Sequence, residues 1–436
     1  MDARDPAEVA AALERALSGE GPAVLPTAGT PAAPGAPAEA LPGVPDDVVL
    51  VIETSGSTAA PKRVMLTAEA LRASATATYA RFDELFGRGA GSEAGAEVAA
   101  GTGAADSPSR QWLLTLPASY VAGAQVVMRS ILAGTRPVVL ADEHFTAEGF
   151  ARAAARLTGE RRYVSLVPAQ LARLLDAAEA ELAAAPADTP VARAVARFDA
   201  ILVGGQSLPQ ALRARAAALG WKLVTSYGSS ETSGGSLYNG EPLDRVRVRI
   251  RDGEVQLAGP VLAAGYLGDP ERTAGAFVED DGERWYRTSD GGRLEVDEAT
   301  GRERLVVTGR LDNVIVSGGE KVLLDTVEGI VRRQPGLEAA VVVAAPSEEW
   351  GQVPALVVEG GSWLGTAGAG EAPRVLQARE LAADVRWSAV REATAAAGRA
   401  ARPALLVVVP RLPYLPSGKP DRRSLAKLVE RLVAPA

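Results

Sequence analysis

The sequence predicts an α/β protein in two parts. A large N-terminal domain, residues 1–311, should carry mainly parallel sheets covered by helices plus a β-rich subdomain, and a small α+β C-terminal domain should span residues 312–436. Three observations predict this. From Val48 to Tyr227 apolar strand-like runs alternate with helix-periodic stretches, the pattern of βαβ units, which places an α/β core at residues 46–240. After Tyr227 the period switches to two, and Arg245-Val-Arg-Val-Arg-Ile-Arg251 followed by Asp252-Gly253 is a hairpin signal, so residues 241–311 form the β-rich subdomain. From Asp312 a separate mixed pattern begins, and a chain of 436 residues is long enough for two or three domains.

In chain order, Asp5 is the expected N-cap of a first helix, with Pro6 in its first turn, Glu8 at the third position and a stop near Gly19. Residues 21–45, rich in Pro, Ala and Gly, read as irregular. Strands are expected at Val48–Ile52, Trp112–Leu116, Arg136–Leu140, Tyr163–Val167, Ala200–Val203 and Lys222–Thr225, in a largely parallel sheet covered on both faces. Helices are expected at Val64–Tyr79, Ala122–Ala133, Pro168–Ala184 and Pro209–Leu219. Short strands follow at Glu254–Ala258, Trp285–Thr288, Arg293–Val296 and Arg304–Thr308, with the four arginines of 245–251 on a solvated face. Beyond the expected hinge, a helix at Leu324–Arg333, strands at Ala339–Ala344 and Leu405–Val409, and a last helix at Ser424–Leu432 complete the chain. Gly87–Arg110 and Gly360–Pro373 are low-complexity stretches that read as mobile surface insertions.

Composition narrows the function classes. With 47% hydrophobic and 23% charged residues the chain is globular, and a net charge of -8 argues against sequence-independent nucleic-acid binding. There is no cysteine, hence no disulfide, thiolate metal site or cysteine nucleophile. The lone histidine, His144, builds no multi-histidine metal site and has no G-x-S-x-G elbow to serve, so it reads as a surface residue. Neither a secretory signal nor an apolar run of about 18 residues is visible, which makes a cytoplasmic location the expectation.

Five segments carry chemistry. Residues 51–66, VIETSGSTAAPKRVML, join an apolar run to a small-residue loop and Lys62, a recipe for gripping phosphates with backbone N–H groups, hydroxyls and one cation. An ordinary turn is the alternative. Ser226-Tyr-Gly-Ser-Ser-Glu-Thr232 offers an aromatic to stack on a base and a carboxylate for a magnesium ion. Asp290, ending Tyr286-Arg-Thr-Ser-Asp290, suits a ribose diol. Gly309–Val322 combines a polar start with a glycine pair, and Lys419 sits on a Pro/Gly-stiffened loop, Leu412–Pro420. Each of these also has a bland reading as a cap, turn, bend or surface connection.

In their order and spacing the five segments resemble the adenylate-forming (AMP-binding) superfamily of acyl-CoA synthetases, peptide adenylation domains and luciferases, from Val48 to the C-terminus. A Walker-type NTPase is excluded, because Lys62 lacks a following Ser or Thr. The resemblance implies ATP, Mg2+ and, as a substrate, coenzyme A. It assigns Thr54, Ser55, Gly56, Ser57, Thr58, Lys62 and Ser230 to the phosphates. Gly204, Gly205, Gln206, Ser226, Tyr227 and Gly228 would line the adenine pocket, Asp290 and Arg310 the ribose, and Glu231 with Thr58 the metal. Lys419, Arg310 and Glu231 would be catalytic, Asp312 the hinge of a mobile C-terminal domain, and Ser317, Gly318 and Gly319 part of a CoA tunnel. Ala59, Arg63, Ser230 and Ser289 stand where the family's motifs have Gly, Gly, Thr and Gly.

Segments 116–125, 164–175 and 312–320 are most similar to the o-succinylbenzoate–CoA ligases of menaquinone synthesis within that superfamily. That resemblance implies o-succinylbenzoate as the acid, with Ser119 and Tyr120 near it and Arg129 as the cation for its spectator carboxylate. A helix-surface role for Arg129 is the alternative. Other readings are another aryl- or acyl-CoA synthetase, or a degenerate protein that binds or stops at an adenylate. The expected partners are small molecules (the acid, ATP and CoA), not nucleic acid or a membrane, and a homo-oligomer is compatible with the sequence.

Overall fold

The structure is a computed structural model that describes residues 1–27, 43–54, 62–87, 109–140, 144–185, 187, 189–298, 300–360, 372–415 and 419–433. The low-complexity stretches at 88–108 and 361–371 and the phosphate-loop tip at 55–61 lie outside the described residues. Helix Pro6–Leu17 opens as its sequence dictates: the Asp5 carboxylate accepts the N–H groups of Ala7 and Glu8, each at 3.1 Å. None of the described helices is long and apolar enough to cross a membrane.

A seven-stranded sheet forms the main scaffold. Its order is Val138–Val139, Arg110–Leu114, Arg161–Leu166, Ala200–Val203, Leu223–Ser229, Gly234–Tyr238 and Glu241–Pro242, the first five parallel and the last two antiparallel. Alternate residues of single strands enter different cores. Trp112, Tyr163 and Leu202 join the first helix and helix Ala68–Phe86, whereas Leu113, Val164 and Ile201 join Phe150, Leu171 and Phe198.

Two expectations about the first strand need correction. Strand Val48–Thr54 does not join the parallel sheet; it pairs antiparallel with Lys62–Thr67, which in turn pairs with Gly265–Tyr266. The helix expected at Val64–Tyr79 begins only at Ala68, because Val64 and Leu66 alternate into the core as a strand and Thr67 then caps the helix through Ala70 N–H at 3.1 Å. Apolar residues two apart outweighed a helical period that is real only downstream.

A five-stranded antiparallel sheet follows, made of Arg247–Arg251, Glu254–Ala258, Phe277–Asp280, Glu283–Val296 and Glu303–Arg310. The two strands expected at 285–288 and 293–296 are one long strand. Its first half pairs with Glu254–Ala258 and Phe277–Asp280, and its second half with Glu303–Arg310. The arginine face is not simply solvated. Arg251 pairs with Asp280 at 2.7 Å, and Arg249 pairs with the same carboxylate and covers the Trp285 ring at 4.0 Å.

Every strand after Asp312 falls in a separate six-stranded sheet: Val314–Ser317, Glu320–Leu323, Val341–Ser347, Gly351–Glu359, Arg374–Gln377 and Leu405–Val409. Helices Leu324–Val331, Val385–Ala395 and Arg422–Val433 cover it. The two apolar cores of this sheet contain only residues beyond Asp312, and the other three cores only residues before it.

Candidate active site

Where the end of the parallel sheet meets the hairpin strand and the five-stranded sheet lies a cleft of about 440 Å³. Lys62, Tyr227, Gly228, Glu231, Tyr266, Arg272, Asp290 and Arg310 are among its walls. The strand register brings the ribose-side pair together, since Asp290 lies opposite Arg310 on adjacent strands. The Tyr227 hydroxyl donates to Asp290 Oδ2 at 2.6 Å, and Arg310 Nη1 lies 3.6 Å from Asp290 Oδ1. Desolvation raises the Asp290 pKa, with Tyr227 and Arg310 opposing the rise. Arg310 also forks onto Asp312, through Nε at 2.9 Å and Nη2 at 2.7 Å. That hydrogen-bonded pair holds the Asp312 pKa below, and the Arg310 pKa above, its ordinary value.

Gly204-Gly205-Gln206 follows strand Ala200–Val203 and flanks Ser226 on the neighbouring strand. A Cβ on Gly204 would stand 3.3 Å from Ser226 Cβ, and Gly205 has φ +82°. At Gly228, a cleft wall, a Cβ would fall 2.0 Å from the Gly234 carbonyl oxygen, so close packing on the neighbouring strand requires glycine there.

The phosphate side begins at the hairpin. Thr54 and Lys62 face each other across its mouth, while Ser55, Gly56, Ser57 and Thr58 lie outside the described residues. Lys62 Nζ lies 5.5 Å from the centroid of the Tyr266 ring, and the Tyr266 hydroxyl donates to Glu231 Oε1 at 2.9 Å. Glu231 and Ser230 are buried on one turn of 3-10 helix, Ser230–Thr232, that leaves strand Leu223–Ser229. Sequence reading missed Tyr266. It stands 35 residues from Glu231, and the pairing of Tyr266 with Val64 and the hydrogen bond from Ala263 N–H to the Glu231 carbonyl at 2.8 Å bring it there. The signal available was weak: a Gly-Tyr pair after a small apolar run.

Two residues at motif glycine positions are now explained. Arg63 sits in ordinary strand backbone and pairs with Glu53 across the hairpin at 3.0 Å. Ser289 does hold a glycine-like conformation, φ +59°, with its N–H on Glu254 Oε1 at 3.0 Å and its carbonyl accepting from Leu311 N–H at 2.8 Å.

Helix Val121–Leu132 carries the residues assigned to the acid. Tyr120 is its N-cap residue, and Ser119 is buried with no partner for its hydroxyl. Arg129 is no surface residue: it is 2% exposed, lies 5.0 Å from the Trp112 ring centroid, and donates from Nη2 to the Tyr238 hydroxyl at 3.2 Å. Among the described residues its Nε has no hydrogen-bond partner and no carboxylate pairs with it. One turn away, Gln125 donates to the Ser233 carbonyl at 2.6 Å and leaves Oε1 unpartnered. These residues stand apart from the walls of the nucleotide-sized cleft.

Lys419 comes to the Gly204-Gly205 pair from the far end of the chain. Its Cε lies 3.7 Å from the point that a Cβ on Gly205 would occupy. Although its side chain keeps solvent access, the surrounding protein lowers its pKa by desolvation, with Arg310 adding to the effect and Asp290 and Glu231 opposing it. Ser317, Gly318 and Gly319 are not among the cleft walls. They form the Ser317–Glu320 turn, where Trp350 packs so closely on Gly318 that a Cβ would lie 2.3 Å from its ring.

Comparison with known proteins identifies the family. The family model for AMP-binding enzymes matches residues 4–267. The chain belongs to the AMP-binding enzyme family. A probable 2-succinylbenzoate–CoA ligase of Mycobacterium tuberculosis is 36% identical over 392 residues, 88% of this AMP-binding enzyme and 85% of the relative. The 2-succinylbenzoate–CoA ligase of Salmonella typhimurium is 31% identical over 351 residues, 79% and 65% of the two chains. In fold, it is similar to o-succinylbenzoate–CoA synthetase of Bacillus subtilis solved with an acyl-adenylate intermediate (TM-score 0.62, 23% identity, 87% and 69% covered). It is also similar to an amide bond synthetase of Marinactinospora thermotolerans (TM-score 0.63, 24% identity, 88% and 70% covered).

The residues present fit a magnesium ion held mainly by its substrate. Among the described residues no group of three or more His, Cys, Asp or Glu can cage a metal, whereas Glu231 offers one carboxylate oxygen that makes no hydrogen bond to them. Mg2+ binds well through one carboxylate, phosphate oxygens and water.

Proposed function

We propose that this AMP-binding enzyme is an ATP-dependent acid–thiol ligase that converts 2-succinylbenzoate into its CoA thioester. Lys419 carries the reading: a cation from the loop ahead of the last helix lies over Gly205, within electrostatic reach of Asp290, Arg310 and Glu231. In the first half-reaction a carboxylate oxygen of the acid attacks the α-phosphorus of ATP, the bond to the β-phosphate oxygen breaks, and pyrophosphate leaves. No proton needs removing, so the site has to neutralise charge on oxygens. Lys419 bridges the attacking carboxylate and the α-phosphate. Asp290 accepts the ribose hydroxyls, displacing the Tyr227 hydroxyl, whose ring is then free to face the base. Lys62 and the hairpin tip hold the β- and γ-phosphates, and Glu231 would hold a Mg2+ ion, which would supply further neutralisation of phosphate charge.

In the second half-reaction the CoA sulfur attacks the acyl carbon, the bond to the AMP oxygen breaks, and the thiol proton leaves to solvent. Lys419 would obstruct that approach. A rotation at Asp312 that exchanges the Lys419 loop for the Ser317-Gly318-Gly319 turn removes the conflict, and the Arg310–Asp312 fork is the contact such a rotation has to remake. For the acid, the observation in favour of 2-succinylbenzoate is Arg129. A buried guanidinium with a tyrosine hydroxyl and no carboxylate gains a partner when the spectator carboxylate of a diacid binds.

The test is ATP–pyrophosphate exchange with a panel of carboxylic acids, followed by detection of the CoA thioester. Exchange driven by 2-succinylbenzoate and thioester formation on adding CoA are expected. Exchange with no acid removes the enzymatic reading, and exchange without thioester leaves an adenylate-only protein.

A further inference from the structure

We propose that Arg272 is a second cation of the pyrophosphate subsite, working beside Lys62; the proposal rests on the ligase reading above. Arg272 lies on helix Pro270–Ala276, far in sequence from the phosphate hairpin, yet both residues line the same cleft. Their cationic groups lie 5.9 Å and 5.5 Å from the centroid of one ring, that of Tyr266, whose hydroxyl holds Glu231. Two positive charges and the candidate metal carboxylate thus converge on one end of the cleft.

The other charged walls are already committed. Arg287 donates to Glu254 at 2.9 Å, and Arg310 is bound to Asp312 and faces Asp290. The Lys62 ammonium makes no hydrogen bond to a described residue and rests 5.5 Å from the Tyr266 ring centroid. Arg272 is tethered on one edge only, by Nε to Asp269 Oδ2 at 3.2 Å, and its two Nη groups have no partner among the described residues. A guanidinium held by Nε and open at Nη presents two parallel donors, which suits neighbouring phosphate oxygens. The diphosphate leaving group carries more negative charge than Lys62 alone can balance. The same Asp269 carboxylate also caps the helix through Arg272 N–H at 3.0 Å.

The test compares Arg272→Gln and Arg272→Lys with Asp269→Asn in the full-length enzyme. The readouts are calorimetric binding of pyrophosphate with Mg2+, the KM for ATP in the adenylation step, and thioester formation from supplied acyl-adenylate. For Arg272→Gln, pyrophosphate binding should weaken roughly tenfold and the KM for ATP should rise similarly, the size of one charge-assisted contact. Arg272→Lys should recover part of the loss, and the thioester step should keep its wild-type rate. Asp269→Asn should bind pyrophosphate at least as tightly as wild type, since it frees the arginine from its counter-charge. Unchanged pyrophosphate affinity in a folded Arg272→Gln protein overturns the proposal, as does an Asp269→Asn protein that loses affinity equally, which would mark a packing role. The wild-type arm keeps the two readings apart. Exchange in wild type with no Arg272 effect sinks only this proposal, whereas no exchange in wild type sinks the ligase reading.

Discussion

Removing the Asp325 carboxylate should slow adenylation without slowing thioester formation. Asp325 lies in the first turn of helix Leu324–Val331, beyond the proposed hinge, and its Oδ2 accepts the backbone N–H of Arg310, before the hinge, at 2.8 Å. Beside it, Thr326 Oγ1 donates to the Thr308 carbonyl at 2.9 Å. Gly309, φ +133°, makes the approach possible, because a Cβ there would lie 2.6 Å from Asp325 Cβ. If the C-terminal part moves as proposed, these contacts would latch its sheet in the orientation that brings Lys419 over Gly205. A hydrogen bond to a charged group contributes about 1.5–3 kcal/mol. With the Asp325 side chain 19% exposed, the lower end applies, about 1.5–2 kcal/mol, or roughly a 10–30-fold change in the share of molecules in this orientation. Asp325→Ala should therefore lower the rate of pyrophosphate release by roughly that factor where the two orientations are near balance. Thioester formation from supplied acyl-adenylate should stay at or above wild type. Rapid-quench measurement of each half-reaction decides the matter, with Lys419→Ala as the reference that removes adenylation alone. Equal slowing of both steps would refute the latch.

Three further outcomes follow from the same geometry. Because desolvation lowers the Lys419 pKa and adenylation uses the ammonium form, pyrophosphate release should fall as pH rises through that lowered value, below the ordinary lysine range. The thioester step should lack this limb, and pH–rate profiles of the two steps check it. Ser289→Gly should raise thermal stability by about 0.5–1 kcal/mol, since relief of a left-handed residue at φ +59° (about 1–2 kcal/mol) exceeds the entropy cost of glycine (about 0.5–1 kcal/mol), as read by denaturant unfolding. Arg129→Met should leave stability and the KM for ATP nearly unchanged, because a buried cation without an acid partner is exchanged for apolar volume. Its KM for 2-succinylbenzoate should rise about 30-fold or more. A matching rise for a monocarboxylic acid would argue against the spectator-carboxylate role.

The local elements were legible in the sequence to different degrees, for physical reasons. Helix Pro168–Ala184 and strands Ala200–Val203 and Leu405–Val409 have the bounds expected of them, since each is a strongly periodic or continuously apolar run. Residues 62–67 were misread because six residues of alternation adjoin a long helix and share its apolar positions. Period tells which face of a strand is buried but not which strand it joins, so the separate three-stranded sheet was beyond reach.

The phosphate hairpin, the Tyr227–Glu231 segment, Asp290, Arg310 and Lys419 were all named from sequence, because each motif is contiguous and its residue types answer directly to phosphate, base or ribose. Tertiary structure alone decided how they are served. Tyr266 meets Glu231, Arg272 joins Lys62, Asp325 reaches Arg310, and Arg129 is buried rather than exposed, through contacts between residues far apart in the chain. Local chemistry is written into neighbouring residues. The partner that holds a charged group in place is set by sheet pairing and packing, which join distant segments and leave no mark at either one.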